Sequence, residues 1–385
     1  MARKLHFTEA ELADRRARAC RAMAGAGLDG LLCFRQESMY WLTGYDTFGF
    51  VFFQCLYLGA DGRMVLLTRA PDRLQAAQTS VVGDVRIWVD APDASPATEL
   101  RAILAEHGCA GRRLGVEWEA YGLTARNGQR LAAALDGFCT LEDASDLVSR
   151  LRVVKSEAEL AHARRAAELA DKALAAGTAL ARPGAHEGEI LAAMQSEVLR
   201  GGGDEPANEQ IIGSGPHALL CRTHVGRRRL DAQDMLTIEF AGAYLHYHAA
   251  LMRTLAIGRP DPRLAEMHKA SVDALLACEE ALRPGRPIGE VFDAHARVLD
   301  AAGYRAMRMN ACGYSLGSTF APNWMDWPMF YRGQPYVAEP GNVFFIHIIV
   351  FDAAAGLAMT LGRTSEVTAT GSRPLSTAPL GFLAG

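Results

Sequence analysis

Apolar and polar positions are most informative between residues 234 and 258, DMLTIEFAGAYLHYHAALMRTLAIG. An apolar run from Met235 to Phe240 carries a single carboxylate, Glu239. The small pair Ala241-Gly242 reads as a turn, and a second β-rich run extends from Tyr244 to Ile257. This pattern predicts a hairpin of two buried strands. A charge in such a place is expensive unless it is paired or used. Glu239 and Arg253 therefore form either a satisfied internal pair or part of an active-site floor.

Ahead of the hairpin, strand-like runs alternate with helical patterns. A helix over 8–24, capped at Thr8, precedes strands at 29–34, 50–59, 63–68, 85–90 and 113–118, with helices at 97–107 and 124–135 between them. That alternation predicts a small α/β domain over residues 1–150. Within it, WLTGYDTFGFVFF at 41–53 reads as a glycine-bearing loop carrying Trp41, Tyr45, Asp46 and Phe48. Loop aromatics either close over a ligand or pack a core.

Near 150 the character changes to a long helix from Ser156, with a capping box Ser156-x-x-Glu159. A second helix at 186–200 stops at Gly201-Gly202-Gly203, and strand-like residues follow at 209–213. After the hairpin come helices at about 262–283 and 288–302, then strands and loops from 305 to 370. The order suggests two related halves around a central sheet, in a second domain over 151–385. The fold class is α/β (α+β).

Half the residues are apolar and 22% are charged, and the formal net charge is -4. This near-neutral balance leaves no electrostatic footprint for nucleic acid or for an acidic membrane surface. The eight cysteines are scattered without metal-ligand spacing and read as reduced thiols. The N-terminal stretch has no apolar core of the signal-peptide kind, and no run approaches the length of a membrane span. The expectation is a cytoplasmic protein acting on a small-molecule substrate, with no nucleic-acid or membrane partner.

Several stretches together resemble one family, the creatinase and aminopeptidase P superfamily with the pita-bread fold. They are LRVVKSEAEL at 151–160, ARPGAHEGEI at 181–190, GSGPHALL at 213–220, IEFAGAYLHYHAALMRT at 238–254 and EPGNVFFI at 339–346. WLTGYD at 41–46 is similar to the family's N-terminal domain. The resemblance implies a creatinase-type α/β domain, a C-terminal pita-bread catalytic domain and a homodimer whose N-terminal domain overhangs the partner's site.

Metallopeptidase members of the family hold two metal ions with two Asp, one His and two Glu. Set on this sequence, those positions fall on Glu239, Ala250, Tyr314, His347 and, near the end, Thr360. One carboxylate and one imidazole stand where hard, multiply charged oxygen ligands are wanted. The resemblance therefore implies no metal and no other cofactor, and points to the metal-free branch, creatinase and the ectoine hydrolases. Creatinase's guanidinium-holding carboxylates fall here on Met252 and His347. The ectoine hydrolase pattern is closer: Glu239, Ala241, Gly242, Tyr247, His248, Arg253 and Thr254, with Gly313-Tyr314 and Pro322-Asn323-Trp324.

Hydrolysis of a cyclic amidine or amide without metal needs a base for water, a donor for the tetrahedral intermediate and an acid for the leaving nitrogen. Glu239 is the candidate central carboxylate. His248, His224 and His347 are the acid–base candidates, because imidazole titrates near working pH. Tyr314 is the oxyanion donor. The family's catalytic histidine after SGP falls on Arg222 without gaps, and on His224 with a shift of two; Arg222 would instead hold a substrate carboxylate. Tyr247, Trp324, Trp41, Tyr45 and Asp46 complete the substrate-binding candidates. Two other readings stay open: a metal-dependent Xaa-Pro dipeptidase-type peptidase, and an inactive pita-bread binding module.

Overall fold

The structure, a computed structural model, describes residues 3–223 and 226–384. It divides into two compact units at the 152/153 peptide. The N-terminal unit runs α1 (Glu9–Gly25), β1 (Gly30–Cys33), α2 (Gln36–Thr43), β2 (Cys55–Gly59), β3 (Met64–Arg69), α3 (Arg73–Thr79), β4 (Asp84–Trp88), α4 (Pro96–Glu106), β5 (Arg113–Val116), α5 (Ala125–Leu135), β6 (Thr140–Asp143) and α6 (Leu147–Arg152). Its mixed sheet has the order β4-β3-β2-β1-β5-β6. α1 starts where Thr8 accepts the Glu11 N–H, the expected cap.

Trp41 lies in a helix, α2, which ends on Gly44 in the left-handed conformation, and not in a loop. The ring is fully buried, with the Arg15 and Arg18 guanidinium groups 5.4 and 5.3 Å from its centre, and Tyr45 is buried with its hydroxyl bonded to Thr68 and Gln54. Both are core residues of this unit. The Asp46 backbone carbonyl accepts from Gln75 and its N–H donates to Thr79. Phe48, 74% exposed, is the ring of this stretch most open to solvent.

The C-terminal unit runs α7 (Glu157–Leu180), α8 (Glu187–Arg200), β7 (Ile211–Ser214), β8 (Asp234–Tyr244), β9 (Tyr247–Ile257), α9 (Pro262–Ala281), α10 (Gly289–Ala301), β10 (Ala311–Ser315), β11 (Asp326–Tyr331), β12 (Val343–Asp352), β13 (Leu357–Val367), β14 (Ser372–Pro374) and β15 (Leu383–Ala384). The capping box closes α7: Ser156 Oγ accepts the Glu159 N–H, and Glu159 accepts the Ser156 N–H at 2.9 Å. The main sheet has the order β11-β10-β12-β13-β9-β8-β7. β13 and β9 sit at its centre, so a helix pair followed by strands occurs once on each side, as the order of elements suggested.

Strand alternation sorts the side chains. Ile238, Phe240 and Leu251 pack under α7 and α8, and Phe344, Ile346 and Ile348 pack under α9 and α10. Their neighbours Glu239, Ala241, Ala250, Met252, Phe345 and Ile349 consequently face the opposite, concave side.

The hairpin turn lies at Leu245-His246, both with positive φ, and Ala241-Gly242 continues β8. Gly242 is small because helix α7 crosses the strand there. A Cβ at Gly242 would stand 2.1 Å from Ala166 O and 2.7 Å from Ala170 N. The register then sets Ile238 opposite Arg253 and Glu239 opposite Met252. Arg253 is therefore on the helix-covered side, donating to the carbonyls of Met252 and Gly362 at 2.8 Å each, and the internal pair with Glu239 does not form.

Candidate active site

Three rows of side chains cross the concave face. Glu239 on β8, Met252 on β9, Gly362 on β13 and His347 on β12 are successive register partners. One step along, Ala241 pairs with Ala250, the Thr364 hydroxyl binds both backbone groups of Ala250, and Thr364 pairs with Phe345, which pairs with Tyr314 on β10. One step the other way lie Thr237, Thr254 and Thr360, the last two hydroxyls 3.2 Å apart. The sequence separates Glu239 from Tyr314 by 75 positions and from His347 and Gly362 by more than a hundred; the sheet brings them onto one surface.

Glu239 keeps partial access to solvent, yet burial pushes its carboxyl up to about 7, against a hydrogen bond from Tyr314 and the Arg222 charge, which both pull it down. The Tyr314 hydroxyl lies 3.4 Å from Glu239 Oε1 and accepts the Trp324 Nε1–H at 2.9 Å. Because the Trp324 donor occupies one side of that oxygen, the phenolic proton is aimed at the carboxylate. Burial raises the Tyr314 hydroxyl well above its ordinary value, so it keeps this proton at neutral pH. Tyr314 also packs its ring 5.5 Å from Phe345 and 5.7 Å from His347. His347 is nearly buried, burial lowers it to about 4, and its Nδ1 has no partner among the described residues.

The other candidates have different surroundings. His248 faces the concave side but both ring nitrogens are engaged: Nε2 lies 2.9 Å from the Ala207 N–H and Nδ1 lies 3.1 Å from Thr319 Oγ1. A backbone amide can only donate, so Nε2 accepts and Nδ1 carries the hydrogen. Burial lowers His248 to about 4, which keeps it neutral. This geometry makes His248 a positioning residue for the 204–210 segment. Tyr247 faces α7 and donates to Glu159 Oε1 at 2.7 Å, away from Glu239. Trp324 is buried and touches the site through Tyr314 rather than as an open wall. Arg222 is exposed and close enough to influence both Glu239 and Tyr314. His224 lies outside the described residues.

Two residues near Glu239 escaped the sequence reading. Cys221 is an exposed thiol whose proton is held on by burial and by the Glu239 charge, and it lines a cavity of about 20 Å³ with Glu239, Met252 and Thr360. Gln210, immediately before Ile211, is buried, and Ile211 is the register partner of Glu239. A polar residue leading an apolar strand was the only signal for it.

The donor set can be tested against a two-metal centre. Gly362, and not Thr360, faces His347 in the register, and a Cβ at Gly362 would meet the Phe345 ring at 2.9 Å. Met252, Gly362 and the Phe345 ring beside it thus occupy the surface between Glu239 and His347. Among the described residues no group of three His, Cys, Asp or Glu side chains is placed to hold a metal ion. These residues do not fit a dinuclear site.

Residues 161–369 match metallopeptidase family M24, and residues 15–154 match the creatinase/prolidase N-terminal domain. The chain belongs to metallopeptidase family M24. Its architecture is that of the creatinase and aminopeptidase P superfamily, an N-terminal creatinase-type α/β domain followed by a pita-bread domain. The M24 relatives include an ectoine hydrolase of Halomonas elongata, 27% identical over 357 residues covering 88% of this chain and 89% of that one. A probable dipeptidase of Mycobacterium tuberculosis is 30% identical over 349 residues, 88% of each chain. The solved dipeptidase of Mycobacterium ulcerans superimposes with a TM-score of 0.85 at 26% identity, covering 98% of this chain and 99% of that one. This M24 chain is accordingly a hydrolase of its family, and among its described residues no helix is long and apolar enough to cross a membrane.

Proposed function

We propose that the protein hydrolyses a C–N bond in a small nitrogen-rich solute, an ectoine-like cyclic amidine or amide, with side chains alone. The observation that carries this reading is the chain Trp324 to Tyr314 to Glu239: one carboxyl poised near neutrality in a mostly apolar cleft, with a fixed phenol aimed at it. Such a carboxylate takes a proton from water as the water oxygen bonds to the substrate carbon. The Tyr314 hydroxyl is placed to donate to the oxygen or nitrogen on which charge develops. The proton held by Glu239 then passes to the leaving nitrogen as the C–N bond breaks, which balances the reaction. His347, on the same face and with no partner to its Nδ1 among the described residues, is the second candidate for that transfer. Similarity to the ectoine hydrolase supports the substrate class, and the ill-fitting donor set supports a metal-independent route.

The test is turnover of ectoine, 5-hydroxyectoine, creatine and a dipeptide panel by the wild type and Glu239→Gln. Turnover of an amidine or amide solute, reduced by 10²–10⁴-fold or about that range in the variant, supports the reading. Cleavage of dipeptides alone would replace it with a peptidase. As part of the same proposal the working unit is a homodimer, checked by a light-scattering mass of twice 41.6 kDa.

A further inference from the structure

Beside the Glu239 cleft lies an open cavity of about 540 Å³, several times the volume of a monocyclic solute. Its apolar wall includes Val198, Leu199, Pro206, Ile211 and Pro322. Ile211 also lines the small cavity at Glu239, so the two spaces are neighbours across one side chain. The polar anchors are few. Arg222 lines the cavity and makes no ion pair among the described residues. Gln210 also lines it, only 2% exposed, and neither Nε2 nor Oε1 has a partner among the described residues. Two orphaned polar atoms on one buried amide are costly and rare in folded proteins. On the rim, the Asp204 carboxylate is committed to the His246 N–H, while Glu205 stands exposed and disfavours a second anionic group.

We propose that Gln210 and Arg222 select the substrate: a solute with one carboxylate, held by Arg222, and a neutral carboxamide, lactam or ureido edge, read by Gln210. A glutamine amide presents a donor and an acceptor side by side on a residue that lines the cavity. A lactam or urea satisfies both at once. An amidinium offers donors only and leaves Nε2 facing another N–H, and a carboxylate satisfies Nε2 alone. A site built to hydrogen-bond a group rejects analogues lacking it far more strongly than an apolar pocket rejects a missing methylene. The inference deepens the proposed function and rests on it for placing the scissile bond at Glu239. It narrows "amidine or amide" to amide.

The experiment titrates pyroglutamate, N-carbamoylglycine and ectoine into the wild type, Gln210→Leu, Gln210→Glu and Arg222→Gln, by calorimetry, with turnover followed separately and folding checked by thermal melting. The wild type binds the lactam and ureido acids roughly tenfold more tightly than the amidine. Gln210→Leu levels the three, Gln210→Glu reverses the order because it accepts only, and Arg222→Gln weakens all three. An order unchanged in well-folded Gln210→Glu and Gln210→Leu overturns the inference, even where ectoine is hydrolysed and the proposed function stands. Gln210-dependent binding without hydrolysis of any solute would instead sink the proposed function and leave the binding site.

Discussion

Tyr314 is held from two sides, by the Trp324 indole and by the Glu239 carboxylate, and this makes its hydroxyl the most informative single group to remove. Tyr314→Phe deletes the donor to Glu239 and leaves a buried indole N–H without an acceptor. Loss of an oxyanion-type donor lowers kcat by about 10²–10³-fold. The same bond pulls the Glu239 carboxyl down, so without it the carboxyl titrates above its present value of about 7. The acid limb of kcat/KM is expected near pH 7 in the wild type, rising with pH as the base forms, and displaced to higher pH in Tyr314→Phe. A profile flat through this range would remove Glu239 as the base. Stability gives an independent reading. The folded carboxyl binds its proton more tightly than an unfolded one with the ordinary value of 4.5, so its favourable contribution is complete below 4.5 and is lost as pH rises through about 7. Glu239→Gln should therefore gain melting temperature relative to the wild type above pH 7 and not below 4.5.

At the scale of elements, the hairpin shows what a local pattern conveys and what it misses. The two buried strands and the carboxylate Glu239 within the first were legible, because period and apolarity are local properties. The turn was not. Ala241-Gly242 looks like punctuation, but the missing side chain of Gly242 answers to helix α7 pressing on the strand, and the real turn uses Leu245-His246. Gly242→Ala is expected to cost several kcal/mol, since backbone atoms of α7 would have to retreat; an unchanged thermal midpoint would contradict this packing. The same limitation explains Trp41 and Tyr45. A glycine beside aromatics reads as a binding loop, whereas Gly44 caps a helix and the rings fill a core. Tyr247 and His248 stood out in the sequence as polar residues on a buried strand. Alternation alone could not tell that one faces α7 while the other holds Ala207 in place.

At the scale of the molecule, the two-domain order was legible from alternating runs and from motifs spread over most of residues 150–370, whereas the site was not. Glu239, Tyr314 and His347 meet only because β8, β9, β13, β12 and β10 lie side by side, and without the family resemblance nothing in the sequence pairs them. Gln210 left still less trace. Buried histidines also set the acid limit of the fold. His248 and His347 are lowered to about 4 and His295 to about 3, burial being the largest cause in each case. Unfolded histidines take up protons from about 6.5 downward while these do not, so stability present above 6.5 is lost as pH falls toward 4. His295, buried with neither ring nitrogen partnered among the described residues, is the informative case. His295→Leu should keep or raise the midpoint at pH 7 and soften the acid decline; a steeper decline would contradict it.

The central claim is hydrolysis by Glu239 without metal. It is tested most directly by measuring metal content and turnover together on chelator-treated protein, before and after adding back divalent cations, with Glu239→Gln alongside. The account predicts undiminished turnover at sub-stoichiometric metal, no gain on adding cations, and loss in the variant. Activity that vanishes with chelation and returns in proportion to bound metal would contradict it.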